Sequence, residues 1–220
     1  TLIAENFQGR VPDPYQWNIW VLGSIAWGLA NGLHQLCFTA PWYTNYTDGS
    51  LILGLAAEPP IYNEDYTVLK IKFKQGIYWS DGVEFTAHDY EYTIKKALED
   101  PKHTYHATAV TWVKNVYTED KYTLVIELKQ PNPHFWLYFD SDVWSAWWYP
   151  MPAHVFEKAE SEGTLWYKYK FYPPVCVGPY KLVDVDPTGY WVLWERRDDW
   201  DRTVVGKWVE EQGLSWVGPT

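Results

Sequence analysis

Aromatic rings and side-chain amides alternate in one short segment near the start of the chain, YQWNIW at positions 15–20. A flat indole can stack on the C–H face of a sugar ring, while an amide can hydrogen-bond the hydroxyls beside it. The segment could therefore bind a carbohydrate, with Trp17 and Trp20 as stacking platforms and Gln16 and Asn18 as hydrogen-bonding groups. Trp17 and Trp20 also have the spacing of two side chains that pack together into a core. Both interpretations stay open at this point.

Aromatic residues are abundant throughout the chain, with 16 Trp, 18 Tyr and 8 Phe among 220 residues. One core rarely has room for so many indoles, because each needs volume and a hydrogen-bond partner for its N–H group. A large aromatic core accounts for more than half of these rings, and we expect some of the others to face a ligand. Trp42 and Tyr43 are further candidates for that role.

Two acidic pairs, Asp140/Asp142 and Asp198/Asp199, raise the possibility of a glycosidase, which needs two carboxylates on either side of a scissile bond. Neighbouring residues in a strand point to opposite sides, however, and the chain has 28 acidic residues. Solvated surface is therefore the favoured interpretation, and no catalytic residue is predicted. The sequence also has no nucleophile elbow, P-loop or dinucleotide-binding glycine motif, so no cofactor is expected.

The cysteine and histidine spacings do not match those of metal sites. Cys37 and Cys176 lie far apart without a CxxC or Cys/His pattern, and either a long-range disulfide or two buried thiols would suit them. His103 and His106 are three residues apart but have no third ligand at a sensible spacing, which favours a pair of surface residues. The sequence therefore predicts no metal site.

Charge and hydropathy exclude two classes of protein. The formal net charge is −10 with a pI of about 5.0, and no basic cluster is present, which argues against a nucleic-acid partner. No run of 18 apolar residues exists, so no membrane-spanning helix is predicted. The chain opens with Thr1 and without signal-peptide features. This is compatible with a cytosolic protein or with an exported protein whose signal has been removed.

Hydrophobic periodicity predicts both strands and helices. One helix is capped by Thr86 with Asp89 in a capping-box position and ends at Asp100-Pro101, and a second begins at Pro152. The mixed order of elements predicts an α/β or α+β fold. The predicted strands, which alternate between apolar and polar residues, cover 66–74, 113–117, 122–129, 180–185 and 190–195.

The run KQGIYWSDGVEFTAHD at 74–89 resembles a signature of the family 5 extracellular solute-binding proteins, the peptide and oligosaccharide receptors of ABC importers. Three later pieces resemble that family in order and spacing: MPAHV at 151–155, VCVGPYKL at 175–182 and ERRDDW at 195–200. Cys176-Val177 replaces the Gly-Thr that is usual in the family, which alters a loop near the ligand.

The resemblance implies an α/β, periplasmic-binding-protein-like fold (type II, large three-domain subclass), here as an incomplete lobe I plus a small inserted domain. Residues 1–50 and 171–220 would form the discontinuous lobe I, residues 51–170 the inserted α+β domain, and the second lobe would be absent. The segment after the first strand faces the interlobe cleft in the family, which agrees with a ligand role for Gln16 and its neighbours. Both cysteines would lie in lobe I, where they could meet.

The same resemblance implies a non-catalytic, monomeric substrate-binding component of an ABC transporter. It would be periplasmic or extracellular and would deliver its ligand to the membrane subunits of a permease. The tryptophan content favours an oligosaccharide captured in an interlobe cleft. The alternatives are an oligopeptide-binding protein of the same family and a Trp-rich carbohydrate-active enzyme or lectin-like module.

Overall fold

The computed structural model describes residues 2–5, 10–24, 33–140 and 148–214, and within these ranges it contains three antiparallel sheets and four α-helices. The helices are α1 (Ala87–Glu99), α2 (His106–Trp112), α3 (Ala153–Ser161) and α4 (Val204–Glu211). The strands are β1 (Leu2–Glu5), β2 (Trp42–Thr44), β3 (Leu51–Leu53), β4 (Ile61–Tyr62), β5 (Val68–Lys72), β6 (Val113–Asp120), β7 (Thr123–Leu128), β8 (Tyr180–Val185) and β9 (Trp191–Arg196). The predicted strands and helices are all present within a few residues of their expected bounds.

The largest sheet has the strand order β4-β5-β7-β6 and follows directly from the alternating pattern of its strands. Leu69 and Ile71 of β5 are fully buried and lie opposite Ile126 and Leu124 of β7. The intervening Lys70 lies on the solvent side, where it forms an ion pair with a glutamate. Helix α1 packs on β6 and β7, which buries its apolar side.

The carboxylate of Asp89 joins three elements at the start of α1. It accepts the backbone N–H of Thr86 at 2.9 Å, as the capping-box prediction requires, and that of Ala153 at the start of α3, also at 2.9 Å. It lies 3.4 Å from the indole nitrogen of Trp79, which is fully buried. Burial raises the pKa of Asp89 to about 6, although the hydrogen bonds from Thr86 and Ala153 oppose that rise.

The second sheet has the order β1-β9-β8 and lies near a disulfide. Cys37 and Cys176, for which the sequence left both states open, are joined with their Cα atoms 4.4 Å apart. Cys176 also exchanges two hydrogen bonds with Ser80, through its backbone N–H to Ser80 Oγ and from Ser80 N–H to its carbonyl. The turn at Ser80 is thereby tied to the disulfide.

Arg197 is buried beside this disulfide, with a relative exposure of 1%. Its guanidinium binds both carboxylate oxygens of Asp199, at 2.9 and 2.8 Å, which compensates for the burial of its charge. The same guanidinium donates to four main-chain carbonyls, those of Tyr78, Trp79, Cys176 and Gly178.

The division into lobe I (1–50 and 171–220) and an inserted domain (51–170) stays a prediction. Strands β4 to β7 share one sheet, and β1, β8 and β9 share another. A single hydrophobic cluster nevertheless runs through both parts of the chain, from Val11 to Val204. Within the described ranges, no helix has the length and apolar character needed to cross a bilayer.

Candidate ligand-binding site

The two tryptophans of segment 15–20 lie in the core. Trp17 and Trp20 both have a relative exposure of 0%. The indole N–H of Trp17 donates to the carbonyl of Pro14 at 3.1 Å, and that of Trp20 to the carbonyl of Tyr149 at 2.9 Å. Trp17 also meets Trp194 edge to face. The expectation that these rings stack on a sugar is therefore wrong, because neither has a face or an N–H available.

The amides of the same segment are used by the fold. Asn18 is fully buried, and its Nδ2 donates to the carbonyls of Trp166 and Tyr169, both at 2.9 Å. Its Oδ1 accepts the N–H of Trp20, while the half-buried Gln16 accepts the N–H of Asn18. These bonds contradict a ligand role for Asn18. They also show that the Gln16 side-chain oxygen shapes the loop.

The adjacent candidates Trp42 and Tyr43 have different environments because consecutive side chains of a strand point to opposite sides. Trp42 is fully buried, donates to the carbonyl of Glu58 at 2.9 Å and meets Trp136 edge to face. A stacking role for Trp42 is therefore excluded in the same way. Tyr43 is half-buried, and its ring lines a groove.

This groove, called here the α4 groove, lies between the β2–β3 hairpin, residues 38–39, Pro179 and helix α4. Its volume is about 240 Å³. Every described residue that lines it is uncharged. Most of its walls are aromatic or aliphatic. The lining includes Thr39, Tyr43, Ile52, Leu53, Val205 and Trp208.

Helix α4 forms one wall of the groove because its first turn is fixed in two ways. The hydroxyl of Thr203, the N-cap residue, accepts the backbone N–H of Gly206 at 3.3 Å. A Cβ atom on Gly206 would lie 2.4 Å from the carbonyl oxygen of Trp200, so glycine allows α4 to pack closely on the preceding turn. This packing leaves the Trp208 ring 52% exposed beside the groove.

Trp208 was not among the residues selected from the sequence. The signal that could have found it is the capping residue Thr203 followed by Val204 and Val205, which precede Trp208 by four and three residues. This spacing predicts a short helix with one apolar side. The sequence contains no further sign that this side remains partly open.

A second cavity, of about 410 Å³, lies along α3. Within it His154 Nε2 lies 2.7 Å from Asp81 Oδ2. Burial tends to raise the pKa of Asp81, but its bonds with His154 and with the backbone of Val83 bring that pKa below its usual value. The remaining charged residues that line this cavity, Lys158 and Glu162, are exposed. Its lining therefore carries charged groups, whereas the described lining of the α4 groove carries none.

The acidic pairs do not form a catalytic site among the described residues. Asp199 faces Arg197, whereas Asp198 points to solvent. Asp140 is buried and accepts a hydrogen bond from Thr44, and Asp142 lies outside the described residues.

His103 is not a surface residue, which corrects the expectation of a surface pair with His106. Its relative exposure is 1%, and its ring packs beside those of Tyr105 and Trp166. Burial lowers the pKa of His103 to about 3, so the imidazole is neutral at physiological pH.

Comparison with known proteins identifies the family. The family model described as "Bacterial extracellular solute-binding proteins, family 5 Middle" matches residues 50–209, which is more than half of the chain. The chain therefore belongs to the family 5 bacterial extracellular solute-binding proteins. No curated protein matches the chain in sequence.

Solved structures of this fold agree with the assignment. The periplasmic oligopeptide-binding protein of an oligopeptide ABC transporter from Thermotoga maritima is 18% identical, with a TM-score of 0.70 over 91% of this chain and 33% of that one. The mannohexaose-bound structure of that protein gives 18% identity and a TM-score of 0.65, over 92% and 34% of the two chains. The oligopeptide-binding protein AppA from Bacillus subtilis, in complex with a nonapeptide, is 20% identical, with a TM-score of 0.65 over 87% of this chain and 36% of that one. The chain thus spans about a third of the length of these proteins.

Proposed function

We propose that this chain is part of the substrate-binding component of an ABC importer, which captures an oligosaccharide between two lobes and releases it unchanged. The observation that carries the proposal is the family match over residues 50–209. The fold agrees with that of the Thermotoga maritima oligopeptide-binding protein at a TM-score of 0.70. In this proposal, residues 1–50 and 171–220 belong to lobe I and residues 51–170 to an inserted domain.

The character of the α4 groove supports an oligosaccharide as the ligand. Sugars bind to aromatic faces, and Tyr43 and Trp208 supply two such rings beside uncharged walls. The termini of a peptide need charged partners, and the described lining of the groove carries none. The similar Thermotoga maritima protein was solved with mannohexaose.

An oligopeptide is the second candidate ligand, favoured by the likeness to AppA, which was solved with a nonapeptide. In either case the protein acts by binding alone. We further propose that it is exported, works as a monomer outside the cytoplasmic membrane, and transfers its ligand to the membrane subunits of a permease.

The test is a calorimetric titration of the complete protein with neutral β-linked oligosaccharides and, separately, with short peptides. We expect a dissociation constant of about 1 μM or tighter for an oligosaccharide. Chromatography of the ligand after prolonged incubation should show it intact, because no catalytic group is involved. Tight peptide binding without any response to oligosaccharides would contradict the proposed ligand class, and hydrolysed sugar would favour the enzyme alternative.

A further inference from the structure

Resting on the proposed function, we infer that the α4 groove is a subsite for a single uncharged sugar ring. Trp208 is the stacking platform of this subsite, and the hydroxyl of Thr39 is its hydrogen-bonding group. The subsite selects neutral sugar units over charged ones.

The exposure of Trp208 is the first observation. Of the tryptophans that the structure describes, it alone is more than half exposed, at 52%. The rings of Trp17, Trp20 and Trp42 are completely buried, so they cannot serve a ligand. An indole held on a capped helix beside a groove is a rigid, flat surface that a C–H face can cover at little entropic cost.

Thr39 supplies the second, independent observation. Its relative exposure is 6%, it lines the α4 groove, and its hydroxyl makes no hydrogen bond with any residue in the described part of the chain. The Thr39 oxygen is not among the fully buried atoms that lack a partner, so it opens onto the groove it lines and is free to bond there. A hydroxyl group of the ligand can bond the Thr39 hydroxyl as donor or acceptor.

The size and charge of the groove define what it admits. Its volume of about 240 Å³ lies below the roughly 300–1,000 Å³ of pockets that enclose drug-sized ligands, which suits one ring of a longer chain. Ile52, Leu53 and Val205 form hydrocarbon walls. Lys74 donates its ammonium to the carbonyl of Leu53 at 3.0 Å and does not line the groove. A uronate or phosphorylated sugar would therefore lose its hydration without gaining a counter-ion.

The experiment measures oligosaccharide affinity by calorimetry in the complete protein and in the variants Trp208→Ala, Trp208→Phe and Thr39→Val. We expect Trp208→Ala to weaken binding about tenfold and Thr39→Val by about fivefold. Trp208→Phe keeps most of the affinity but loses the ligand-induced change in tryptophan fluorescence, which a merely structural role would leave in place. An oligosaccharide with a uronate unit should bind more weakly than its neutral counterpart.

Tyr190→Ala is the matched control, since Tyr190 is 54% exposed in the turn between β8 and β9 and does not line the groove. It should leave the affinity unchanged, and circular dichroism should show every variant folded. If the wild-type protein binds an oligosaccharide and the variants at positions 39 and 208 bind it equally well, the subsite is wrong although the proposed function stands. If the wild-type protein binds no oligosaccharide, both are wrong.

Discussion

Segment 15–20 and the α4 groove both contain tryptophan beside a polar side chain, but the fold buries the tryptophan rings of the segment and leaves Trp208 of the groove exposed. In the segment, Asn18 uses both amide hydrogens on main-chain carbonyls, and Trp20 gives its N–H to Tyr149. In the groove, Trp208 is half exposed and the Thr39 hydroxyl has no described hydrogen-bond partner. A sequence that alternates aromatic and polar residues therefore does not distinguish a buried core from an open groove. The two differ in whether the polar groups already form hydrogen bonds with the backbone.

The largest difference between the two regions should appear in stability. Trp20→Ala removes a completely buried ring that packs on Phe38, Phe156 and Phe171, and it leaves a carbonyl without its donor. We expect the free energy of unfolding to fall by about 4 kcal/mol. The measurement is denaturant unfolding followed by circular dichroism.

Trp208→Ala is the matched variant from the groove, because it deletes the same side chain at an exposed position. Its free energy of unfolding should change by about 1 kcal/mol or less. Equal losses in the two variants would mean that Trp208 is also a core residue, and the contrast between the regions would fail.

The disulfide should have the next largest effect. Cys37→Ala with Cys176→Ala opens a loop between residues that are 139 apart in the sequence. Because the cross-link restricts the unfolded chain, its loss should cost about 3 kcal/mol of stability. The free energies of unfolding of the wild-type protein and the double variant, measured without reductant, give this difference. The reduced wild-type protein is the control. An unchanged midpoint in the double variant would show that the bond does not form in solution.

A smaller effect than that of the disulfide concerns the pH dependence of stability. The pKa of His103 is lowered to about 3, from an ordinary value of 6.5, so the unfolded chain binds a proton first as the pH falls. The contribution of this residue to stability is complete above pH 6.5 and is lost progressively towards pH 3. Asp89 acts in the opposite sense, because its raised pKa of about 6 adds stability as the pH falls from 6 towards 3.8.

His103→Gln isolates this effect, since Asp89 is present in both proteins. Between pH 6.5 and 5, the wild-type protein should lose about 1–2 kcal/mol more stability than the variant. Thermal unfolding at a series of pH values gives the comparison. Parallel curves for the two proteins would show that His103 is not a buried neutral imidazole.

The elements with strong local signals were predictable from the sequence. Strand β5 follows from strict alternation, and α1 follows from Thr86, Asp89 and the Asp100-Pro101 stop, because each feature acts within a few residues. The hairpins β6–β7 and β8–β9 were found for the same reason. The family signature at 74–89 added the fold class.

Residues that depend on distant partners were not predictable in this way. His103 is buried because Trp166, far along the chain, covers its ring, and Cys37 pairs with a residue 139 positions away. The spacing of Val204, Val205 and Trp208 predicts a helix but does not reveal that its apolar side borders an open groove. Of the ligand candidates selected from the sequence, Tyr43 alone lines that groove. Because side chains alternate along a strand, Tyr43 lies on the other face of β2 from the buried Trp42.

The network around Arg197 has a mechanical consequence for the proposed capture of a ligand between two lobes. One guanidinium holds the carbonyls of the 78–79 turn and of the 176–178 segment, and the disulfide anchors that segment to residue 37. A hinge needs a few backbone torsions that can turn without breaking buried bonds. Rotation between these segments would separate a buried charge from its acceptors, so they must move as one rigid body. In the proposed function, any hinge between the lobes must therefore bend outside this junction.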